Sequence, residues 1–146
     1  MSRVYADSSA LVRAYLADEP ASAVARRLLF DGEGVMTSEV ARVEFASAVT
    51  RAFRARRIDL AGDYLLAFDA DCGVAGPVAL LPLRSPVTLH TAHRIASTHG
   101  LRGLDAIHVA TAIDEAASIP VDDGISFVTF DDEQAAAARA EGLRVI

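Results

Sequence analysis

At 146 residues the chain has the length of one domain, enough to bury roughly 68–70% of its unfolded surface without a disulfide or structural metal. A hydrophobic share of 52% contains no apolar run near the ~18 residues of a membrane span, which argues against a membrane-spanning helix. The net charge of −6 argues against indiscriminate nucleic-acid binding, all 14 basic residues are arginine, and the single cysteine, Cys72, excludes an internal disulfide and suits a reducing cytoplasm.

The opening Met1-Ser2-Arg3-Val4-Tyr5-Ala6-Asp7 meets a charge too soon for a signal peptide. Arg3–Ala6 is a candidate strand, and Asp7 ends it. Ser9–Ala17 and Ala21–Phe30 read as helices. Gly32 and Gly34 then break the chain before a second strand, Val35–Thr37. The long pattern Glu39–Arg57 is helical and carries Glu44 among Val40, Ala41, Ser47 and Ala48, a face of small, mostly apolar residues. It turns at Ile58-Asp59 into Leu60–Cys72. The pair predicts a helical hairpin that projects from a sheet and leaves Leu65, Leu66 and Phe68 exposed as a docking surface.

Pro77, Pro82 and Pro86 bracket a third strand, Val78–Leu81. Helices over Val87–Thr98 and Leu104–Ala117 follow. Asp105 opens the second of these, and the i, i+3, i+4, i+7 stripe Asp105, His108, Val109, Ala112 turns it inward. Asp122-Asp123-Gly124 reads as a turn. Ser126–Phe130 is a strand ended by Asp131, Glu133–Ala140 a helix, and Arg144–Ile146 a last strand. Strands alternating with helices predict an α/β fold: one domain, residues 1–146, with a parallel sheet covered on both faces.

Ligands of open parallel sheets bind outside the carboxyl ends of the strands. Asp7 and Asp131 follow predicted strands, so both belong on that edge, together if strands one and four pair. Two like charges about 4 Å apart repel by about 4 kcal/mol at an effective dielectric of about 20. A cluster of Asp7, Glu44, Asp105 and Asp131 therefore calls for a hard divalent cation, and such a cation implies phosphodiester chemistry. Each acid also has a plain structural reading. Asp7 and Asp131 suit helix N-caps, Asp131 with Gln134 as a capping box. Asp105 complements a helix dipole, and Glu44 has Arg42 and Arg51 as surface partners.

The same residues resemble a known family. Tyr5-Ala6-Asp7-Ser8-Ser9-Ala10-Leu11-Val12 resembles the first motif of PIN-domain ribonucleases. Thr37-Ser38-Glu39-Val40 through Val43-Glu44-Phe45 resembles their second, Leu104-Asp105-Ala106-Ile107-His108-Val109-Ala110-Thr111-Ala112 their third, and Val128-Thr129-Phe130-Asp131 their fourth. The resemblance covers the whole chain in order and is strongest to VapC-type toxins of bacterial toxin–antitoxin pairs. It implies a three-layer α/β/α sandwich with a five-stranded parallel sheet, usually in a homodimer. It implies a Mg²⁺- or Mn²⁺-dependent endoribonuclease held in check by a VapB-type antitoxin. On that resemblance Asp7 and Asp105 are direct metal ligands and Asp131 a third, direct or through water; Glu44 positions or deprotonates the attacking water or binds the metal through water, and Ser9 and Thr129 orient carboxylates. The adjacent Asp132 is the alternative fourth acid, and the motif match favours Asp131.

For RNA or antitoxin contacts the sequence offers Arg13, Arg42 and Arg102 near the motif acids, and the run Arg51, Arg54, Arg56, Arg57 late in the long helix. His90 and His93 have i, i+3 spacing but no third zinc ligand. His108 reads as a packing residue. Two other readings compete: phosphoryl transfer through an aspartyl-phosphate at Asp7, against which Ser9 stands where those folds want a second aspartate, and a non-enzymatic regulatory module whose acids bind a metal or a partner.

Overall fold

Aliphatic runs of three or four residues make the strands, and longer stretches rich in alanine, leucine and arginine make the helices between them. The computed structural model describes residues 3–118 and 124–146. In chain order it contains β1 (Arg3–Ala6), α1 (Ser8–Tyr15), α2 (Ser22–Phe30), β2 (Val35–Ser38), α3 (Ala41–Arg54) and α4 (Ala61–Asp71). These are followed by β3 (Val78–Leu81), α5 (Val87–His99), α6 (Gly103–Ala116), β4 (Ile125–Val128), α7 (Asp132–Ala140) and β5 (Arg144–Val145). Among the described residues no helix is long and apolar enough to cross a membrane.

All pairings in the five-stranded sheet are parallel, in the order β3-β2-β1-β4-β5. Side chains alternate between its faces. Val4, Ala6, Val35 and Val128 join one core with α1, α2, α3 and α4, while Tyr5, Met36, Ile125 and Phe127 join a second with α5, α6 and α7. Burial on both faces explains why the strands read as continuous apolar runs. The expected three-layer α/β/α sandwich is what the chain forms.

The strand order places the site. From β1 the chain winds outward through β2 to β3, then crosses back to lay β4 on the other flank of β1. The carboxyl ends of β1 and β4 therefore border a topological switch point, where open sheets bind ligands. Ala6 lies level with Val128, and the Asp7 amide donates to the Val128 carbonyl at 3.1 Å.

Three expectations need correction. The hairpin α3–α4 does not stand free. Phe68 is only 2% exposed, because its ring stacks on Phe45 at 4.3 Å and meets the edge of Tyr15 at 5.4 Å. Such aromatic pairs contribute about 0.5–1.5 kcal/mol beyond the area they bury. Leu65 is partly buried beside them, and of the three only Leu66 is exposed. Helix α3 stops at Arg54, not Arg57. Arg56 takes a left-handed φ of +58°, and the amides of Arg56 and Arg57 cap the carbonyls of Phe53 and Ala52, a Schellman ending. Strand β4 ends at Val128, not Phe130, because hydroxyls replace the ladder: the Phe130 amide donates to Ser9 Oγ and the Asp131 amide to Thr129 Oγ1, both at 3.1 Å. Of the predicted turn at Asp122-Asp123-Gly124, the two aspartates lie outside the described residues; Gly124 has φ +51°.

Candidate active site

Asp7 is the first residue beyond β1 and caps α1, with Oδ1 accepting from the Ala10 amide at 2.9 Å. Ser9 Oγ lies 2.8 and 2.9 Å from its two carboxylate oxygens, and Thr129 Oγ1 lies 2.9 Å from Oδ2. Both hydroxyls singled out in the sequence thus sit against this acid. Asp7 is 2% exposed, and burial raises its pKa above the ordinary aspartate value despite the hydrogen bonds that favour the charged form.

Asp131 caps α7, its Oδ1 accepting from the Gln134 amide at 2.9 Å. The capping box is only half formed. The Gln134 side chain does not reach back to the Asp131 amide. It is fully buried between Thr129 Oγ1, at 2.7 Å from its Oε1, and the Asp105 carbonyl, which accepts from its Nε2 at 3.1 Å. A hydroxyl has one proton, so Thr129 donates to Asp7 or to Gln134, not to both. Through this bridge the first turns of α6 and α7 are tied to the end of β1.

Asp105, in the first turn of α6, accepts at Oδ2 from Arg102 Nε at 2.9 Å. The same guanidinium reaches Asp131 Oδ2 at 3.5 Å. Asp131 lines the cleft with the other motif acids, whereas Asp132 is exposed and is not among the lining residues. Glu44, on α3, does not pair with Arg42 or Arg51. Its Oε1 lies 2.7 Å from His108 Nε2, and its Oε2 accepts from Ser8 Oγ at 2.8 Å. Burial pushes Glu44 up, but the His108 and Ser8 bonds outweigh it and leave its pKa below the ordinary value.

Asp7, Glu44, Asp105 and Asp131 all line one cleft of about 800 Å³. Arg13, Arg51, Arg57 and Arg102 also line it. Arg13 lies over the Phe130 ring, 4.8 Å from its centroid, and its Nε has no hydrogen-bond partner. Arg51 bonds Ser47 Oγ at 2.6 Å. Arg57 is neutralised by Asp18 and Glu19 at 2.8 and 2.7 Å. Arg42 faces elsewhere, paired with Asp69 on α4, and Arg54 and Arg56 are exposed outside the cleft. His90 and His93 are exposed on α5 and do not line the cleft.

Four polar partners escaped the sequence reading. Ser8 sits beside the first motif and Gln134 was read only as half of a cap. Tyr5 and His108 looked like core, and His108 is indeed fully buried, but it is a polar link, not an apolar filler. The one legible signal for His108 was its place one turn after Asp105.

The donor set suits a hard divalent cation: carboxylate oxygens supported by hydroxyls, with no thiol or exposed imidazole in the cleft. Among the described residues, however, no three Asp, Glu, His or Cys side chains form a ready-made cage. Asp105 and Asp131 are drawn to the Arg102 cation instead. A cation held by one or two carboxylates and completed by water and substrate phosphate fits this arrangement.

Residues 4–140 match the PIN domain family. The chain is 32% identical to Ribonuclease VapC45 of Mycobacterium tuberculosis over 149 aligned residues, covering 99% of this chain and 95% of that protein. Among solved structures it resembles Mycobacterium tuberculosis VapC20, a sarcin–ricin loop cleaving toxin, with a TM-score of 0.69 and 17% identity over 92% of this chain and 94% of that one. It also resembles VapBC2 of Rickettsia felis, solved bound to a promoter DNA fragment, with a TM-score of 0.62 and 12% identity over 98% and 96% of the two chains.

Proposed function

The chain belongs to the PIN-domain family, and on that footing we propose that it is a Mg²⁺- or Mn²⁺-dependent endoribonuclease, the toxin of a toxin–antitoxin pair. The observation that carries this reading is the meeting of Asp7, Glu44, Asp105 and Asp131 in one cleft at the β1/β4 switch point. Asp7, Asp105 and Asp131 are the residues that would hold the cation. When bound, the ion lowers the pKa of a water and offsets charge developing on the phosphate. Glu44 remains ionised near neutral pH and orients the attacking water by accepting its hydrogen bond. Arg13 and Arg51, which line the cleft, supply contacts to the RNA backbone. Arg102 exchanges its carboxylates for an RNA phosphate as the site fills. The products are a 5′-phosphate and a 3′-hydroxyl. A VapB-type antitoxin, a homodimeric assembly and a cytoplasmic setting complete the reading, and the similarity to VapC and VapBC proteins supports them.

The aspartyl-phosphate alternative finds little support. Both oxygens of Asp7 are engaged by Ser9, Thr129 and the Ala10 amide, which leaves a poor nucleophile. The regulator alternative is weakened, since of the three apolar residues it rested on only Leu66 is exposed.

The test is cleavage of end-labelled RNA by the purified chain with Mg²⁺ or Mn²⁺. Cleavage that stops in EDTA and in Asp105→Asn, with 5′-phosphate ends, is expected. Undiminished cleavage in EDTA, or 2′,3′-cyclic phosphate ends, excludes the mechanism.

A further inference from the structure

Behind Glu44 a chain of hydrogen bonds runs into the core without meeting solvent. Tyr5 and His108 are both wholly inaccessible. The Tyr5 hydroxyl accepts from the Ser38 amide at 3.1 Å and lies 3.0 Å from His108 Nδ1. His108 Nε2 lies 2.7 Å from Glu44 Oε1. The Tyr5 ring is clamped by Phe127, stacked 5.5 Å away at an interplanar angle of 8°, and by the edge of the His108 ring.

These contacts constrain where the protons of the chain lie. The Ser38 amide can only donate, so the Tyr5 oxygen accepts there and must place its own proton elsewhere. Nδ1 of His108 lies in hydrogen-bond reach as an acceptor, beside the Thr111 hydroxyl, and the Glu44 carboxylate at the far side of the ring can only accept, which places a proton on Nε2. With Nδ1 accepting, Nε2 carries the ring proton and donates it to Glu44. We propose that Tyr5 and His108 are positioning residues for Glu44: the tyrosine selects the Nε2–H form of the imidazole, and that N–H, with Ser8 Oγ, holds the carboxylate in one orientation toward the cleft. Reading Glu44 as the water-orienting group rests on the ribonuclease function proposed above; the proton arrangement does not.

Two measurements test it. Long-range ¹⁵N–¹H spectra of the full chain at pH 7.5 should show His108 with Nε2 protonated and Nδ1 bare, and Tyr5→Phe, which removes the donor to Nδ1 while Glu44 still accepts at Nε2, should let Nδ1 take up a second proton at a higher pH than in wild type. A Nδ1–H ring, or one protonated on both nitrogens, overturns the proposal. In cleavage assays on a single-stranded oligoribonucleotide with Mn²⁺, His108→Leu should lower kcat roughly 10- to 100-fold, as loss of outer-shell partners does. KM and Mn²⁺ affinity should stay unchanged. Glutamine carries an amide N–H at the Nε2 position, so His108→Gln should recover most of kcat. Equal rates for the Leu and Gln variants, or wild-type rates in both, overturn it. If His108→Leu does not fold, the spectra and the comparison of His108→Gln with Tyr5→Phe decide. A wild-type chain that cleaves no RNA refutes the ribonuclease reading and leaves the spectral result to stand by itself.

Discussion

Asp7 and Asp105 reach the same cleft under opposite conditions. Asp7 is buried, caps a helix, and has both oxygens occupied by hydroxyls and an amide that are themselves fixed by β1, β4 and α1. Asp105, with Asp131, is partly exposed and answers to Arg102, whose side chain is 81% exposed. One half of the site is set by the fold before any cation arrives. The other half is held by a partner that water and salt can loosen, since exposed ion pairs are worth only about 0.2–1 kcal/mol. A site of this kind can be rigid where it must bind and exchangeable where substrate must enter.

The largest expected effect breaks the rigid half. Asp7→Asn should cut cleavage by on the order of 10²–10³-fold or more, as loss of a key electrostatic group does. It should also stabilise the metal-free chain. Burial raises Asp7 in the folded state, so the folded chain holds that proton more tightly than the unfolded one. The stability this confers is full below about 3.9, the ordinary aspartate value, and is lost as pH rises through the raised value. At neutral pH asparagine removes the cost of the buried charge. Melting curves between pH 3 and 8 should show a pH-dependent loss in wild type that is smaller in the variant, worth roughly 2–4 °C for each kcal/mol relieved.

Next is the bridge that carries rigidity from Asp7 to α6. Thr129→Val removes the hydroxyl that serves Asp7, Gln134 and the Asp131 amide, and should cost about 1–3 kcal/mol in urea unfolding for the polar groups left unpaired. A smaller change probes the exchangeable half. Arg102→Gln should tighten Mn²⁺ binding about two- to fivefold by titration calorimetry, the range of an exposed pair, while weakening RNA binding. Unchanged or weaker Mn²⁺ affinity would show that Arg102 does not compete for the carboxylates. The smallest effect is Asp132→Asn, which should leave cleavage within about twofold and cost about 0.3–1 kcal/mol through the helix dipole.

The two halves also differ in how visible they were in the sequence. Asp7, Asp105 and Asp131 stand where strand ends and helix starts fall, and local patterns reveal both. The alternation of elements gave the sandwich for the same reason. What escaped depended on distant pairing. His108 meets Tyr5 and Glu44 across 103 and 64 residues, and apart from its place one turn after Asp105 nothing around His108 distinguishes it from an apolar stripe. Gln134 looked like the far end of a capping box because its real partners come from α6 and the end of β4. Arg57 was grouped with its basic neighbours because a left-handed arginine at position 56 leaves no mark in composition. Phe68 looked exposed because the aromatic cluster that buries it comes from α1 and α3.

Two of the acids hold helix ends as well as lining the cleft, and this bears on how an inert form of the chain is best made. Alanine at position 7 or 131 would strip a cap worth about 0.5–2 kcal/mol and blur a chemical defect with a folding one. Asparagine caps as well as aspartate does and carries no charge. Asn-substituted chains are therefore the forms suited to trapping an intact RNA strand for crystallography, since the walls that grip it keep their shape.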